Sequence, residues 1–434
     1  MVDKKIDHVV KRLGRRYGDA GIAIPIAEDL ISKPGIPANQ PDVDFYSRRY
    51  PLEDPNFAFT ADNDWSWENT PPEDKEALRR SYRLVSPMVK MSRGTGELLP
   101  SNEPVPGKDI TEDIKVKARE LGFCEVGITR YDRRYAYQVR KRWVKFEHAI
   151  CLAFEQDYER TQAIPSTFGE EAAFHAYASM SQTGLILADY IRSLGYHAQV
   201  HSPLDPSAVY IPMFVAAGLG QLGANGQLLS PHFGSRGRLM IVTTDAIVTY
   251  DEPVDYGIHR FCQICQVCVN RCPGRALMRD KVWWRGVEKN KLVYERCRPV
   301  MARYSACGVC IKVCPVQKFG MKTVMEHYVD TSEVLGKGSH ELEGYRLKDK
   351  GYFGPGELPH FDAEFFHIPH ATSEDALFEE FKAKLKEHKV PNGPSGDAEL
   401  REFRRKVVKA LGRDEGEANP MAMILPKEEL ERVE

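Results

Sequence analysis

Eight of the ten cysteines in the 434-residue chain fall into two groups with regular spacing. The first group reads C-x2-C-x2-C-x3-C before a proline, and the second ends in C-x2-C-x3-C, also before a proline. Two residues between successive thiolates allow one tight loop to hold three corners of an iron–sulfur cubane, and the proline breaks the helix next to the fourth ligand. Zinc sites rarely use this arrangement. The spacing therefore predicts two [4Fe–4S] clusters.

The order of the cysteines is that of a bacterial two-cluster ferredoxin in which the first spacing of the second group is longer. In that arrangement the fourth cysteine of each group binds the other cluster. We therefore assign the first cluster to Cys262, Cys265, Cys268 and Cys314, and the second cluster to Cys272, Cys297, Cys307 and Cys310. The two remaining thiols, Cys124 and Cys151, lie in apolar segments, and we predict that they are buried and unreactive.

Two adjacent clusters conduct electrons to an acceptor, which we expect in the residues that precede the cysteines. Immediately upstream, Gly218, Gly220 and Gly223 form a G-x-G-x-x-G sequence. A dinucleotide-binding fingerprint would follow a strand, and an acidic residue would end a second strand about 20 residues later. These glycines follow a predicted helix instead, and no such acidic residue is present. We interpret them as allowing the backbone to approach a flat, bulky cofactor closely.

Three consecutive segments resemble the corrinoid-dependent reductive dehalogenases and the related epoxyqueuosine reductases: AGLGQLGANGQLLSPHFGS, TTDAIVTYDEPVDYG and FCQICQVCVNRCP. The later segment CRPVMARYSACGVCIKVCP resembles the second cluster motif of the dehalogenases, so that the resemblance covers about residues 110–320. It implies a nitroreductase-like α/β (α+β) domain that binds cobalamin base-off. Low-valent cobalt, reduced by the two clusters, would attack the halogen or carbon of an organohalide. The sequence has no D-x-H-x-x-G motif, which fits a corrinoid without a histidine ligand from the protein.

The same resemblance implies which residues form the site. The loop from Gly218 to Ser235 would contact the corrinoid, through Gly218, Gly220, Gly223, Asn225, Gly234 and Ser235. A tyrosine would protonate the product carbon, and a neighbouring cation would stabilise its phenolate. Our candidates are Tyr177 and Arg238, with Tyr190 and Arg236 as second choices.

These assignments have a structural alternative. A tyrosine on an amphipathic helix is more often a core residue, and an arginine beside a strand is more often a surface charge. We expect the nearby polar residues His175, His201 and Asp205 to be structural or solvated rather than catalytic.

Composition changes along the chain predict four regions. Residues 1–108, rich in proline and aromatic residues, form an irregular arm over the core; residues 109–256 alternate helices with short apolar strands and form the corrinoid-binding domain. Residues 257–320 form the ferredoxin-like domain, and residues 321–434 a C-terminal extension. We expect aromatic side chains to line the substrate pocket, drawn from Phe57, Trp65, Trp67, Trp283 and Trp284.

The overall charge and hydropathy limit the partners. The net charge is −2 and the pI about 6.7, which disfavours nucleic acid as the main ligand. No apolar run reaches the roughly 20 residues that a membrane span needs, and no apolar segment follows Arg15 and Arg16 as in an export signal. We expect a cytoplasmic enzyme that receives electrons from an external ferredoxin or flavin reductase and acts on a halogenated phenol.

Two other functions compete with this prediction. Epoxyqueuosine reductases have a catalytic aspartate in a D-x-x-P sequence, but the residue three before Pro212 is Val209. Their substrate is transfer RNA, which the charge balance disfavours. A non-catalytic electron-transfer protein would contain iron but no cobalt, although the intact glycine loop argues against it.

Overall fold

The computed structural model describes residues 66–137, 140–284 and 287–367, together with the backbone of two earlier strands. Within these ranges, only the backbone is described for residues 280–284, 287–288 and 294–295. Phe57 and Trp65, the side chains of Trp283 and Trp284, and residues 368–434 lie outside this description. The predictions that concern them therefore stay predictions.

The described chain contains twelve strands: β1 Lys5–Val9, β2 Ala23–Ile26, β3 Glu125–Arg130, β4 His148–Glu155, β5 Ala198–His201, β6 Gln221–Leu222, β7 Leu228–Leu229, β8 Gly237–Thr244, β9 Leu277–Trp284, β10 Val287–Leu292, β11 Tyr345–Leu347 and β12 Gly351–Phe353. Its principal helices are α1 Pro72–Ser92, α2 Thr111–Glu120, α3 Tyr158–Gln162, α4 Thr167–Ser193, α5 Ile211–Ala216, α6 Ile258–Cys265, α7 Val267–Asn270, α8 Tyr294–Arg303, α9 Val309–Lys312, α10 Pro315–Phe319, α11 Met321–Thr331 and α12 His340–Glu343. Within the described ranges, none of the helices has both the length and the apolar composition needed to cross a membrane.

A four-stranded sheet in the order β3-β4-β8-β5 forms the centre of the first half of the chain. All of its strand pairs are antiparallel. In β4, Ile150 and Leu152 pack with α2 and α4, whereas Cys151 and Ala153 pack with α5 on the opposite face. The sequence of β4 is apolar almost throughout, as expected for a strand that is covered on both faces. The helices and strands follow the predicted alternation, with antiparallel pairing that places the domain in the α+β class.

The two isolated thiols lie in this domain, as predicted. Cys151 is fully buried in the middle of the sheet, and Cys124 is 6% exposed. Burial raises the pKa of Cys151 well above its ordinary value, so that its thiol stays protonated and unreactive.

The cysteine groups lie in a second hydrophobic core that extends past residue 320. The buried residues of this core include Phe261 and Val309 from the cysteine segments, and Tyr328 and Leu347 from the chain beyond them. Arg271, 1% exposed, donates hydrogen bonds to the carbonyl oxygens of three residues of the extension, Glu343, Phe353 and Glu357. The first part of the predicted extension is therefore built into the cysteine module.

The described part of the N-terminal arm is not irregular, which corrects the prediction for this segment. Helix α1 has 21 residues and packs on α4, where the ring of Tyr82 meets Phe174 at 5.2 Å in an edge-to-face contact. Pro71 and Pro72 gave the segment the composition of a loop. Proline at the first helical position is favourable, however, because its missing N–H would have no partner there.

Candidate active site and cysteine clusters

The first predicted set of cysteines surrounds one small cavity. Cys262, Cys265, Cys268 and Cys314 all line it, together with residues of the glycine loop and α10. Gln266 has a left-handed backbone (φ 53°) between α6 and α7, and this reversal brings Cys268 back beside Cys262 and Cys265. The fourth cysteine of this set, Cys314, comes from the far end of the module, as the ferredoxin pattern predicted.

The second predicted set is also brought together. Burial and the proximity of Cys272 raise the pKa of Cys297 to about 12. Burial, followed by the proximity of Cys310, Cys297 and Cys272, raises the pKa of Cys307. Between α8 and α9, Ser305, Ala306 and Cys307 have φ values of 42°, 57° and 57°. These three left-handed residues reverse the chain, so that Cys307 comes close to the other cysteines of its set.

The donor set suits an iron–sulfur cluster better than a single ion. Within the described residues, no three or more His, Cys, Asp or Glu side chains converge closely enough to hold one metal ion. Each set supplies four cysteines in the order that a two-cluster ferredoxin uses for a cubane, an arrangement that zinc sites rarely adopt. Buried thiolates repel one another, and a cationic iron core would compensate that charge.

The predicted corrinoid-binding residues lie on a loop between the sheet and the cysteine module. The backbone amide of Ala224 donates to the sulfur of Cys262, and Ser235 lies against Cys314. The side-chain amide of Asn225 donates to the carbonyl oxygen of Cys310 at 3.2 Å. The loop is therefore in contact with the ligands of both predicted clusters.

The glycines of this loop are needed for close contacts within the chain itself. A Cβ on Gly220 (φ 152°) would lie 2.3 Å from the carbonyl oxygen of Leu229, and one on Gly234 (φ 58°) would lie 2.5 Å from the amide nitrogen of Gln317. Gly218 and Gly223 are similarly close to other parts of the chain. These glycines permit contacts between chain segments, and direct approach to a cofactor is not needed to explain them.

Four buried polar atoms at the loop end of the sheet have no hydrogen-bond partner among the described residues. They are Gln156 Oε1, Arg236 Nε, Arg236 Nη2 and Arg238 Nε. Such atoms are costly unless something else satisfies them. A corrinoid carries amide groups around its rim that both donate and accept hydrogen bonds. Arg238, which is half-buried, suits such a rim, whereas Gln156 and Arg236 are each only 1% exposed and belong to the interior.

Tyr177 of α4 lies beside Arg238, which is the second residue of β8. The guanidinium carbon of Arg238 lies 5.5 Å from the centre of the Tyr177 ring. Both side chains are half-buried, and Phe174 packs edge-to-face on Tyr177 at 5.9 Å. Tyr190 lies elsewhere, with the ammonium group of Lys117 5.6 Å from its ring. Of the two candidate tyrosines, Tyr177 is the one beside the candidate cation.

Arg236, the second choice for the cation, is held in a different environment. Its Nη1 donates to Glu155 Oε1 at 2.5 Å and to the carbonyl oxygen of Gln156 at 2.8 Å. Its guanidinium lies over Tyr158 and not over Tyr177. Arg236 is thus a buried partner of Glu155, and Arg238 is the cation nearer to the candidate proton donor.

Replacing Arg236 by methionine is expected to lower the free energy of unfolding by about 3–5 kcal/mol, because Glu155 would stay buried without its partner. The matched variant Arg238→Met is expected to change it by about 1 kcal/mol or less, since Arg238 has no ion pair among the described residues. Chemical denaturation of both variants measures the difference. Equal losses would contradict the assignment of Arg236 as the structural cation.

The other polar residues named from the sequence lie away from this pair. His201 is fully buried between Ser207 and Thr243, and burial lowers its pKa to about 3, so that it stays neutral. Asp205 pairs with Arg93 and Arg140. His175 is exposed on α4. Trp67, from the predicted aromatic set, stacks with Lys75 and Arg79 near the start of α1.

Sequence reasoning missed two residues in the neighbourhood of Tyr177 and Arg238. Tyr82 of α1 packs on Phe174, which itself packs on Tyr177, and is 49% exposed. Glu170 lies two helical turns before Tyr177 on the same face of α4. Burial, with Asp74 nearby, raises the pKa of Glu170 to about 7, while Arg238 acts in the opposite direction. The seven-residue spacing was visible in the sequence, but the approach of α1 was not.

Curated proteins with similar sequences are reductive dehalogenases. The tetrachloroethene reductive dehalogenase of Desulfitobacterium hafniense is 30% identical over 269 residues, which cover 49% of this chain and 48% of the relative. That of Sulfurospirillum multivorans is 30% identical over 222 residues, covering 46% and 43%. The epoxyqueuosine reductase of Lactococcus garvieae (strain Lg2) gives a shorter match, 31% over 144 residues, covering 30% and 39%. The chain spans about half the length of the dehalogenases that it matches.

The fold has solved counterparts. A catabolic reductive dehalogenase has a TM-score of 0.54 at 22% identity, and a structure of a B12-dependent reductive dehalogenase has a TM-score of 0.52 at 22% identity. Each match covers 76% of this chain and 47% of the other chain. At these identities the likeness shows a shared fold of helices and sheet. No protein-family model matches the chain. The resemblance to reductive dehalogenases recognised in the sequence is confirmed by these relatives.

Proposed function

We propose that this chain is a reductive dehalogenase, which replaces the halogen of an organohalide by hydrogen at the expense of two electrons and one proton. The observation that supports it best is the pairing of Tyr177 with Arg238, which follows closely in sequence on the loop that touches Cys262. A proton donor, a cation and an electron supply therefore meet at one end of the sheet. The dehalogenase relatives support the same conclusion.

The chain would hold two kinds of cofactor. The two sets of cysteines would each bind one [4Fe–4S] cluster, in a ferredoxin-like domain. The loop from Gly218 to Ser235, with the half-buried Arg238 that follows it, would hold the rim of a base-off corrinoid in the nitroreductase-like domain. When bound, the corrinoid supplies low-valent cobalt that accepts electrons from the clusters and reduces the carbon–halogen bond.

The chain's own residues would manage the proton. Tyr177 would give its phenolic proton to the carbon from which the halide departs. The positive charge of Arg238, 5.5 Å from the ring, would stabilise the phenolate that remains. Phe174 and the sheet below hold Tyr177 in place and limit the access of water on that side.

Of the two proposed clusters, the one held by Cys262, Cys265, Cys268 and Cys314 would adjoin the corrinoid-binding loop and would supply it with electrons. Cys262 and Cys314 contact that loop through Ala224 and Ser235. An external ferredoxin or flavin reductase would supply the electrons.

A halogenated phenol would suit the surroundings of Tyr177 and Arg238. The exposed ring of Tyr82 offers a surface for stacking an aromatic ring. Halogen substituents acidify phenols, and the resulting phenolate would be attracted to Arg238.

The test uses the full chain purified without oxygen and supplied with cobalamin and a reduced electron donor. We expect conversion of a bromophenol to phenol with an equal amount of bromide, and bound cobalt together with iron. Iron without cobalt, and no bromide release, would contradict the proposal and favour a non-catalytic electron-transfer protein.

A further inference from the structure

The start of helix α1 touches the loop that carries Cys307, one of the four cysteines proposed for the second cluster. This segment, Ser305–Cys307, is called the second-cluster loop below. The Ser305 hydroxyl donates a hydrogen bond of 3.1 Å to Oδ2 of Asp74, which lies in the first turn of α1. Asp74 is only 6% exposed. Burial raises the pKa of its carboxyl, and the hydrogen bond from Ser305 is the strongest influence in the opposite direction.

The second-cluster loop has a backbone conformation that its side chains disfavour. Ser305, Ala306 and Cys307 all lie in the left-handed region, which residues other than glycine, asparagine and aspartate rarely occupy. Such a conformation persists only where the surrounding contacts fix it. The amides of Ala306 and Cys307 donate to carbonyl oxygens at the end of α8. The bond to Asp74 adds a contact with a residue 231 positions earlier in the chain.

Helix α1 also approaches the second set of cysteines at another point. The charge of Arg298, on α8, acts on both Cys297 and Tyr82 of α1, so that this guanidinium lies near both side chains. Tyr82 follows Asp74 by eight residues, about 12 Å along the helix. Its ring packs against Phe174 of α4 at 5.2 Å. Helix α1 therefore extends from the second-cluster loop to α4.

From these contacts we propose that α1 completes the binding site of the second cluster, with Asp74 as its positioning residue. Asp74 holds Ser305, and through Ser305 it holds the left-handed turn that directs Cys307 toward the other three cysteines of its set. Asp74 acts through Ser305 and is not itself a cluster ligand. This inference rests on the cluster assignment made in the proposed function, and it gives the N-terminal arm a role there.

Glu73, the residue next to Asp74, provides a matched control. It also joins α1 to the cysteine module, through an ion pair with Lys348 in the turn between β11 and β12. Both side chains of this pair are more than half exposed, so the pair contributes little to stability. Lys348 lies outside the second-cluster loop, so loss of this pair should not disturb Cys307.

The experiment uses the full chain, loaded with iron and sulfide without oxygen, and follows the transfer of iron to a chelator. Asp74→Ala is expected to release about four of about eight iron atoms at least about tenfold faster than wild type, because the loop loses a hydrogen bond to a charged group. Asp74→Asn, whose amide oxygen can still accept from Ser305, should recover most of the wild-type behaviour. Glu73→Gln should release iron at the wild-type rate.

A double variant separates the hydrogen bond from a general effect on folding. Ser305→Ala should accelerate iron release as Asp74→Ala does. The two substitutions together should act no faster than the faster single variant, because they remove the same interaction. Additive effects, or wild-type iron release in Asp74→Ala, would overturn this inference while leaving the proposed function in place.

A spectroscopic measurement identifies the affected cluster. In electron paramagnetic resonance spectra of the reduced protein, Asp74→Ala is expected to alter the signal that Cys272→Ser lacks and to leave the other signal unchanged. Hydrogen exchange of the iron-loaded chain should rise in the second-cluster loop and not in α6. Equal changes in both signals would indicate a general loosening of the fold and contradict the role of Asp74. A wild type that binds no iron would overturn the cluster assignment, and this inference with it.

Discussion

Replacement of Tyr177 by phenylalanine is expected to reduce bromide release by about 10²–10⁴-fold, the usual contribution of a positioned general acid. The substitution removes one oxygen atom and keeps the ring that Phe174 and Arg238 contact. The core around α4 should be preserved, and the iron and cobalt contents should not change. The measurement is steady-state bromide release together with elemental analysis of the same preparation.

Tyr190→Phe is the matched control for this substitution. Tyr190 lies on the same helix, but its ring faces Lys117 and not Arg238. Its activity is expected to stay within about twofold of wild type, as for most substitutions away from a site. Wild-type activity in Tyr177→Phe, or equal losses in the two variants, would show that another group supplies the proton.

Replacement of Cys272 by serine is expected to remove the cluster bound by Cys297, Cys307 and Cys310, and to halve the iron content from about eight to about four atoms per chain. Halide release should be abolished, because electrons would no longer pass from the external donor. Cys124→Ser, at a buried thiol outside both sets, should retain all the iron. Iron analysis and the spectrum of the remaining cluster measure the result.

Double variants test the crossed assignment directly. Adding Cys297→Ser to Cys272→Ser should cause no further loss of iron, because both residues would serve one cluster. Adding Cys262→Ser should remove nearly all of it. If each group of four instead bound its own cluster, the two double variants would give the opposite results.

The cysteine sets were predictable because their spacing fixes which thiols can share a cubane. The strands of the central sheet were also predictable, since β4 and β8 are short apolar runs. The glycine loop lies beside the cysteine sets, and its glycines were attributed to a cofactor. Their close neighbours are residues such as Leu229 and Gln317, which only the folded chain brings near.

The contacts around Tyr177 could not be predicted from the sequence pattern alone. The pair with Arg238 joins residues 61 positions apart, and it was chosen by resemblance to a family. Nothing in the sequence marks Glu170, an acidic residue in the first turn of α4. Burial and then the nearby Asp74 of α1 raise its pKa, and α1 lies in a segment whose prolines suggested a loop.

The crossed ligand sets also have a consequence for biosynthesis. Cys262, Cys265 and Cys268 leave the ribosome long before Cys314, so the proposed first cluster lacks a ligand until the module is nearly complete. The second set is completed by Cys310, only four residues earlier. Both sites therefore become competent almost together, and iron delivery must follow synthesis of the whole module. A nascent chain interrupted before Cys307 would expose unligated thiols and could complete neither site.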